Sequence, residues 1–187
     1  TNIHVLFLSV SSIPMNRRTI PSLQMSVYGQ DRLRSEGFVV MPLEFSMRQE
    51  PQRLIPHFHD FFQIFLITGA GRLMHDFRDH DVTGVTLFFL SPGQVHTIRP
   101  APQTQGTVAS FTQEFFDHHA PPPSMLFDLP FFFSSGVTPW LTVSAKEAAR
   151  ITALFAELQQ EYDSAQSGVQ EVLRATLRIL FIQAGRL

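Results

Sequence analysis

The strongest constraint on this chain is a change in the period of its apolar residues. From Phe38 to Phe111 the runs FVVMPLEFSM, FFQIFLIT, GRLMHDF, TLFFL and GTVASF are short, rich in β-branched and aromatic residues, and separated by Gly, Pro and Asp. Such spacing predicts a β-sandwich or barrel, with Gly69-Ala70-Gly71 read as a hairpin turn. The stretch from Thr112 to Gly136 contains Pro121-Pro122-Pro123 and reads as a wrapping loop. After it the period becomes helical. Ser144 and Glu147 have capping-box spacing, and Ala148, Ile151, Leu154, Phe155, Leu158 and Tyr162 recur as one stripe of a helix over about 145–162. Ser164 to Gly168 breaks it, and Val169, Val172, Leu173, Thr176, Leu180 and Phe181 trace a second helix, antiparallel to the first. The expected organisation is therefore an arm with loops over 1–36, a β unit over 37–143 and a two-helix module over 144–187. Each helical stripe must cover the β core or meet a partner chain.

Charge and composition narrow the chemistry. The 187 residues include no cysteine, so no disulfide, thiolate nucleophile or Cys-built zinc site exists, and a metal would have to sit on His or carboxylates. A net charge of −2 argues against a basic face that grips nucleic acid. No apolar run reaches the roughly 18 residues of a membrane span, and a soluble cytoplasmic protein is expected.

The densest polar constellation is Pro56-His57-Phe58-His59-Asp60-Phe61-Phe62-Gln63. At period two, His57, His59, Phe61, Gln63 and Phe65 share one face of a strand, while Phe58, Phe62, Ile64 and Leu66 lie opposite. Ser91-Pro92-Gly93-Gln94-Val95-His96 supplies a third histidine just after a turn. Three converging imidazoles would suit Zn²⁺, Fe²⁺, Ni²⁺ or Mn²⁺. They would equally serve as hydrogen-bonding groups that orient a small ligand. Arg48 and Arg53 precede this strand and could pair with an anionic ligand group. His118-His119 reads as a solvated loop pair, and Ser91 has no acid and base partners in triad order.

HFHDFFQIFLITGAG, the HDF of His75-Asp76-Phe77 and TLFFLSPGQVH from Thr86 to His96 resemble the cupin-type effector-binding domain of AraC-family transcriptional regulators. The similarity runs from about Ile20 to the end and takes in FTQEFF at Phe111–Phe116, LPFF at Leu129–Phe132 and the two helices. It implies a cupin-like jelly-roll barrel over 37–143 that binds a small-molecule effector, with His57, His59, Gln63, His96 and Arg48 as candidate contacts. It also implies homodimerisation through 144–183 and DNA binding only through a C-terminal helix-turn-helix domain. That domain lies beyond Leu187, where an interdomain linker would begin, so the chain reads as a fragment. Metal-binding cupins carry His-x-His-x₃-Glu and a later His, whereas Gln63 stands here in place of the Glu. No cofactor is expected on that ground, with a divalent metal on His57, His59 and His96 as the alternative. The competing reading is a metal-dependent cupin enzyme of isomerase or dioxygenase type, and a stand-alone binding module is a third.

Overall fold

The computed structural model describes residues 20–25, 33, 36–49, 54–119, 124–133, 137–164 and 166–187. Most of the expected arm and loops over 1–36, Arg53 and the Pro121-Pro122-Pro123 break lie outside these residues. The described chain is mainly antiparallel sheet followed by two helices, cupin-like in its strand order. Its elements are β1 (Ser22–Leu23), β2 (Phe38–Pro42), α1 (Leu43–Gln49), β3 (Phe58–His59), β4 (Phe62–His75), β5 (Arg78–Leu90), β6 (His96–Pro100) and β7 (Gln105–Phe111). There follow α2 (Gln113–Asp117), a 3₁₀ turn (Met125–Asp128), the single turn α3 (Pro130–Phe133), β8 (Trp140–Val143), α4 (Ala145–Ser164) and α5 (Val169–Ala184).

The main sheet has the order β2-β7-β4-β5-β8, and β6 joins it by pairing with β4. Strand β4 organises this branching. It pairs with β5 along its whole length, with β7 from Phe62 to Thr68 and with β6 from Gly71 to His75. Gly69-Ala70-Gly71 is therefore no hairpin turn but the point where a continuous strand changes partner. The turn joining β6 to β7 crosses it closely: Ala101 N–H donates to the Ala70 carbonyl at 2.9 Å, and the Thr104 hydroxyl donates to the same oxygen at 2.6 Å. A Cβ on Gly69 would stand 3.0 Å from Thr104 Cα, and one on Gly71 3.0 Å from the Arg99 carbonyl oxygen. The true hairpin turn is Asp76-Phe77, with both residues at positive φ (46° and 66°).

Strict alternation along β4 divides the core in two. Phe62, Ile64 and Leu66 pack with Phe38, Leu87, Phe89 and Phe111 on the face covered by α4 and α5, while Phe61, Phe65 and Ile67 join Val39, Phe88, Leu90 and Ile98 on the other. Tyr162 of α4 packs against both clusters.

Three expectations give way to the structure. FVVMPLEFSM is a strand only to Pro42 and then turns into α1, with Glu44 in its first turn and Arg48 in its last. The 112–136 stretch, where described, holds helical turns rather than a bare loop, because Phe115, Phe116, Leu126, Phe131 and Phe132 are pulled into the helix-covered core. Val172 is 39% exposed, and the stripe that α5 buries is Val169, Leu173, Thr176, Leu177, Leu180, Phe181 and Ala184. Ser144 and Glu147 meet side chain to side chain, the hydroxyl donating to the carboxylate at 2.5 Å. The Thr176 hydroxyl approaches Glu157 at 3.5 Å across the helix pair, each lying equally far from the connecting turn, which makes α4 and α5 antiparallel neighbours.

Candidate functional site: the histidine cavity

Two strand ends and one turn build the site. The segment Ser91-Pro92-Gly93-Gln94 closes tightly, Gly93 adopting φ +83°, and Gly93 N–H donates to the His59 carbonyl at 2.8 Å. That turn sets His96 opposite His57 in an antiparallel bridge, with His96 N–H donating to the His57 carbonyl at 2.9 Å and the reverse bond at 3.2 Å. The three imidazoles pack together: the His96 ring lies 4.3 Å from His57 and 4.9 Å from His59 between centroids, and His59 stacks on Phe61 at 4.2 Å.

Each imidazole is oriented by a backbone carbonyl. Nδ1 of His57 faces the Ile55 oxygen at 2.9 Å, Nδ1 of His59 the Phe61 oxygen at 2.6 Å and Nδ1 of His96 the Gln94 oxygen at 3.1 Å. A carbonyl only accepts, so in each ring Nδ1 carries the proton and donates it. All three side chains are buried. Burial holds the His96 pKa well below the usual histidine value, and the neighbouring His59 and His57 press it down further. His96 is therefore a neutral imidazole at neutral pH.

His57, Gln63 and His96 line a small, partly open cavity of about 20 Å³, with Leu43, Ser46 and Met47 of α1 and Phe65 and Ile98 of the sheet completing its wall. Its volume is that of roughly one water molecule, at about 10–15 Å³ each. Gln63 is anchored, its amide donating to the buried Ser110 hydroxyl at 2.9 Å. His59 stands beside this wall rather than in it. Arg48 is exposed at the end of α1 and is not part of the lining.

A carbonyl-held Nδ1 is the usual preparation of a metal-binding histidine. The rings here nevertheless pack against one another, the amide of Gln63 brings no charge, and among the described residues no group of three His, Asp or Glu side chains is placed to hold a metal ion.

Sequence reasoning missed the α1 wall. Its signal was the i, i+4 spacing of Leu43 and Met47 behind Pro42, hidden by the β-like run before it.

Comparison with known proteins adds the family. A model of the AraC-like ligand binding domain matches residues 45–181, nearly three quarters of the chain. Among solved structures, apo ToxT from Vibrio cholerae strain SCE256 is similar at 12% identity and a TM-score of 0.47, covering 80% of this chain and 56% of that one. Wild-type ToxT from the same strain, bound to unsaturated fatty acid, is similar at 11% identity and a TM-score of 0.40, covering 79% and 52%. The chain thus spans little more than half of each ToxT chain. No curated protein matches it. With the family model running from α1 through the histidine cavity to α5, the chain belongs to the AraC-like ligand binding domain family.

Proposed function

We propose that this chain is the effector-sensing, non-catalytic domain of a cytoplasmic transcriptional regulator whose DNA-reading part is a separate helix-turn-helix domain. The observation that carries this reading is the family match, which takes in both the cavity and the trailing helices. His57, Gln63 and His96 are the polar groups that would orient an effector, with His59 buttressing His96. At about 20 Å³ the cavity holds little more than a water, so a larger effector would make room by displacing α1, the short wall element. Helix α1 continues directly from β2, whose Phe38 ring lies 6.0 Å from Tyr162 of α4. A shift of α1 thereby has a short mechanical route to the helical module.

The outer face of α5 supports homodimerisation through 144–183. Val172, Ile179 and Ile182 are each about 40% exposed and share one stripe at i, i+7, i+10.

The test combines an effector screen by thermal shift with sedimentation. Effectors are expected to stabilise the wild-type chain but not Met47→Trp, which fills the cavity, while Ile179→Glu dissociates the dimer and leaves the fold intact. Stoichiometric metal in carefully purified protein, with an activity lost on its removal, would replace this reading by the metal-dependent cupin enzyme.

A further inference from the structure

A second concavity, larger than the histidine cavity, lies elsewhere among the described residues. A cleft of about 470 Å³ lies between the β4–β5 hairpin tip and residues 131–133 and 137–140, within the size range of small-molecule sites. Its walls are of two kinds. One side is aromatic: Phe131, Phe132, Phe133 and Trp140, with Phe133 46% exposed. The other carries Arg78 and His75, cross-strand partners at the hairpin end, with the Asp76 carboxylate beside them. The Arg78 side chain makes no hydrogen bond or ion pair among the described residues. Its neighbour Asp76 is committed to the fold, its carboxylate accepting from Val95 N–H at 3.2 Å and lying 3.8 Å from His75 Nε2. His80 packs on Trp140 at 4.2 Å between ring centroids, fixing the indole as a wall.

The hairpin tip is also held at a cost. Phe77 adopts φ +66° at the second central position of a turn that favours glycine, and is 70% exposed.

We propose that this cleft is a second ligand site, which takes a small aromatic carboxylate with its ring against Trp140 and Phe133 and its carboxylate on the Arg78 guanidinium. The two wall chemistries call for a ligand that carries both: aromatic faces alone would take any apolar molecule, whereas a guanidinium without a partner selects a planar anion through paired N–H donors. The site is independent of the effector reading and stands whether or not the histidine cavity admits a ligand.

Trp140 is the single tryptophan of the chain, so its emission reports this cleft directly. Phenylacetate is the probe, with phenylacetamide and phenethylamine as neutral and cationic counterparts. Phenylacetate is expected to change the Trp140 emission saturably, with at least about tenfold weaker binding to Arg78→Gln and a clear loss in Phe133→Ala. Phenylacetamide should bind about as weakly to wild type as phenylacetate does to Arg78→Gln. The proposal is overturned if phenylacetate produces no saturable change, if Arg78→Gln binds it as well as wild type, or if phenethylamine binds more tightly, which would hand the site to Asp76.

Discussion

Individual side chains in this protein are set by what their buried neighbours allow. His96 shows this through pH. Its folded pKa lies below that of the unfolded chain, near 6.5, so between the two values the unfolded state binds a proton that the folded state refuses. The stability involved is complete above about pH 6.5 and is lost as pH falls from there toward the folded pKa, at a slope of up to about 1.4 kcal/mol per pH unit. Urea unfolding at pH 7.5, 6.5 and 5.5 should show that decline, and His96→Asn should flatten it; parallel slopes for the two proteins would refute the assignment. Arg174 makes the complementary case of a buried cation. It is 6% exposed, donates through Nε to the Phe115 carbonyl at 2.6 Å, and lies over the Phe115 ring with its guanidinium carbon 4.7 Å from the centroid. It thereby ties α5 to the end of α2. Its partner Glu171 is 69% exposed, so that ion pair adds little in water. Arg174→Ala is expected to cost about 2–3 kcal/mol, mostly from the lost charge-assisted bond and stem packing. Arg174→Met should recover the packing part only, as chemical denaturation would reveal.

At the scale of elements, β4 decides the architecture. A strand of 14 residues with one partner on one side and two in succession on the other needs a place to change over, and Gly69-Ala70-Gly71 is that place. Side chains there would collide with the β6–β7 turn. Gly69→Val must adopt a backbone of φ +135° that L-residues rarely enter and place its Cβ against Thr104, so a loss of about 2–4 kcal/mol is expected, read from the denaturation midpoint. A Cβ at Gly84, whose φ is +78°, would meet no atom within 4 Å, so Gly84→Ala should cost less than Gly69→Val. The sequence marked this tripeptide as a chain reversal because glycines at that spacing usually end a strand. Its actual role depends on which strands lie alongside, and those come from 30 residues further on. The same holds for α1: the i, i+4 pair Leu43 and Met47 was present in the sequence, but a five-residue strand runs into it without a break.

For the molecule as a whole, the two proposed binding regions share β4 but differ in their other walls, and this makes them separable. The histidine cavity is walled by α1, whereas the cleft is walled by the hairpin tip and residues 131–133 and 137–140. Amide hydrogen exchange should therefore distinguish their ligands. An effector of the histidine cavity is expected to change protection over Leu43–Gln49, and phenylacetate over 75–78 and 138–141, with β4 and β7 slowest to exchange in every state. A ligand that altered both regions equally would show that the two sites are one coupled unit.

What the sequence determined by itself was whatever depends on local periodicity. Alternation about His57 to Leu66 assigned the two faces of the strand, because successive side chains in an extended chain must point to opposite sides whatever surrounds them. The switch to helical spacing after Ser144 determined α4 and α5 for the same reason. Tertiary structure alone decided that β4 runs through its glycines, that Val172 faces outward, that Arg48 stays out of the cavity, and that the space between His57 and His96 holds about 20 Å³. Those outcomes are sums over strand pairings and side-chain volumes contributed by segments far apart in the chain, and no local pattern carries such a sum.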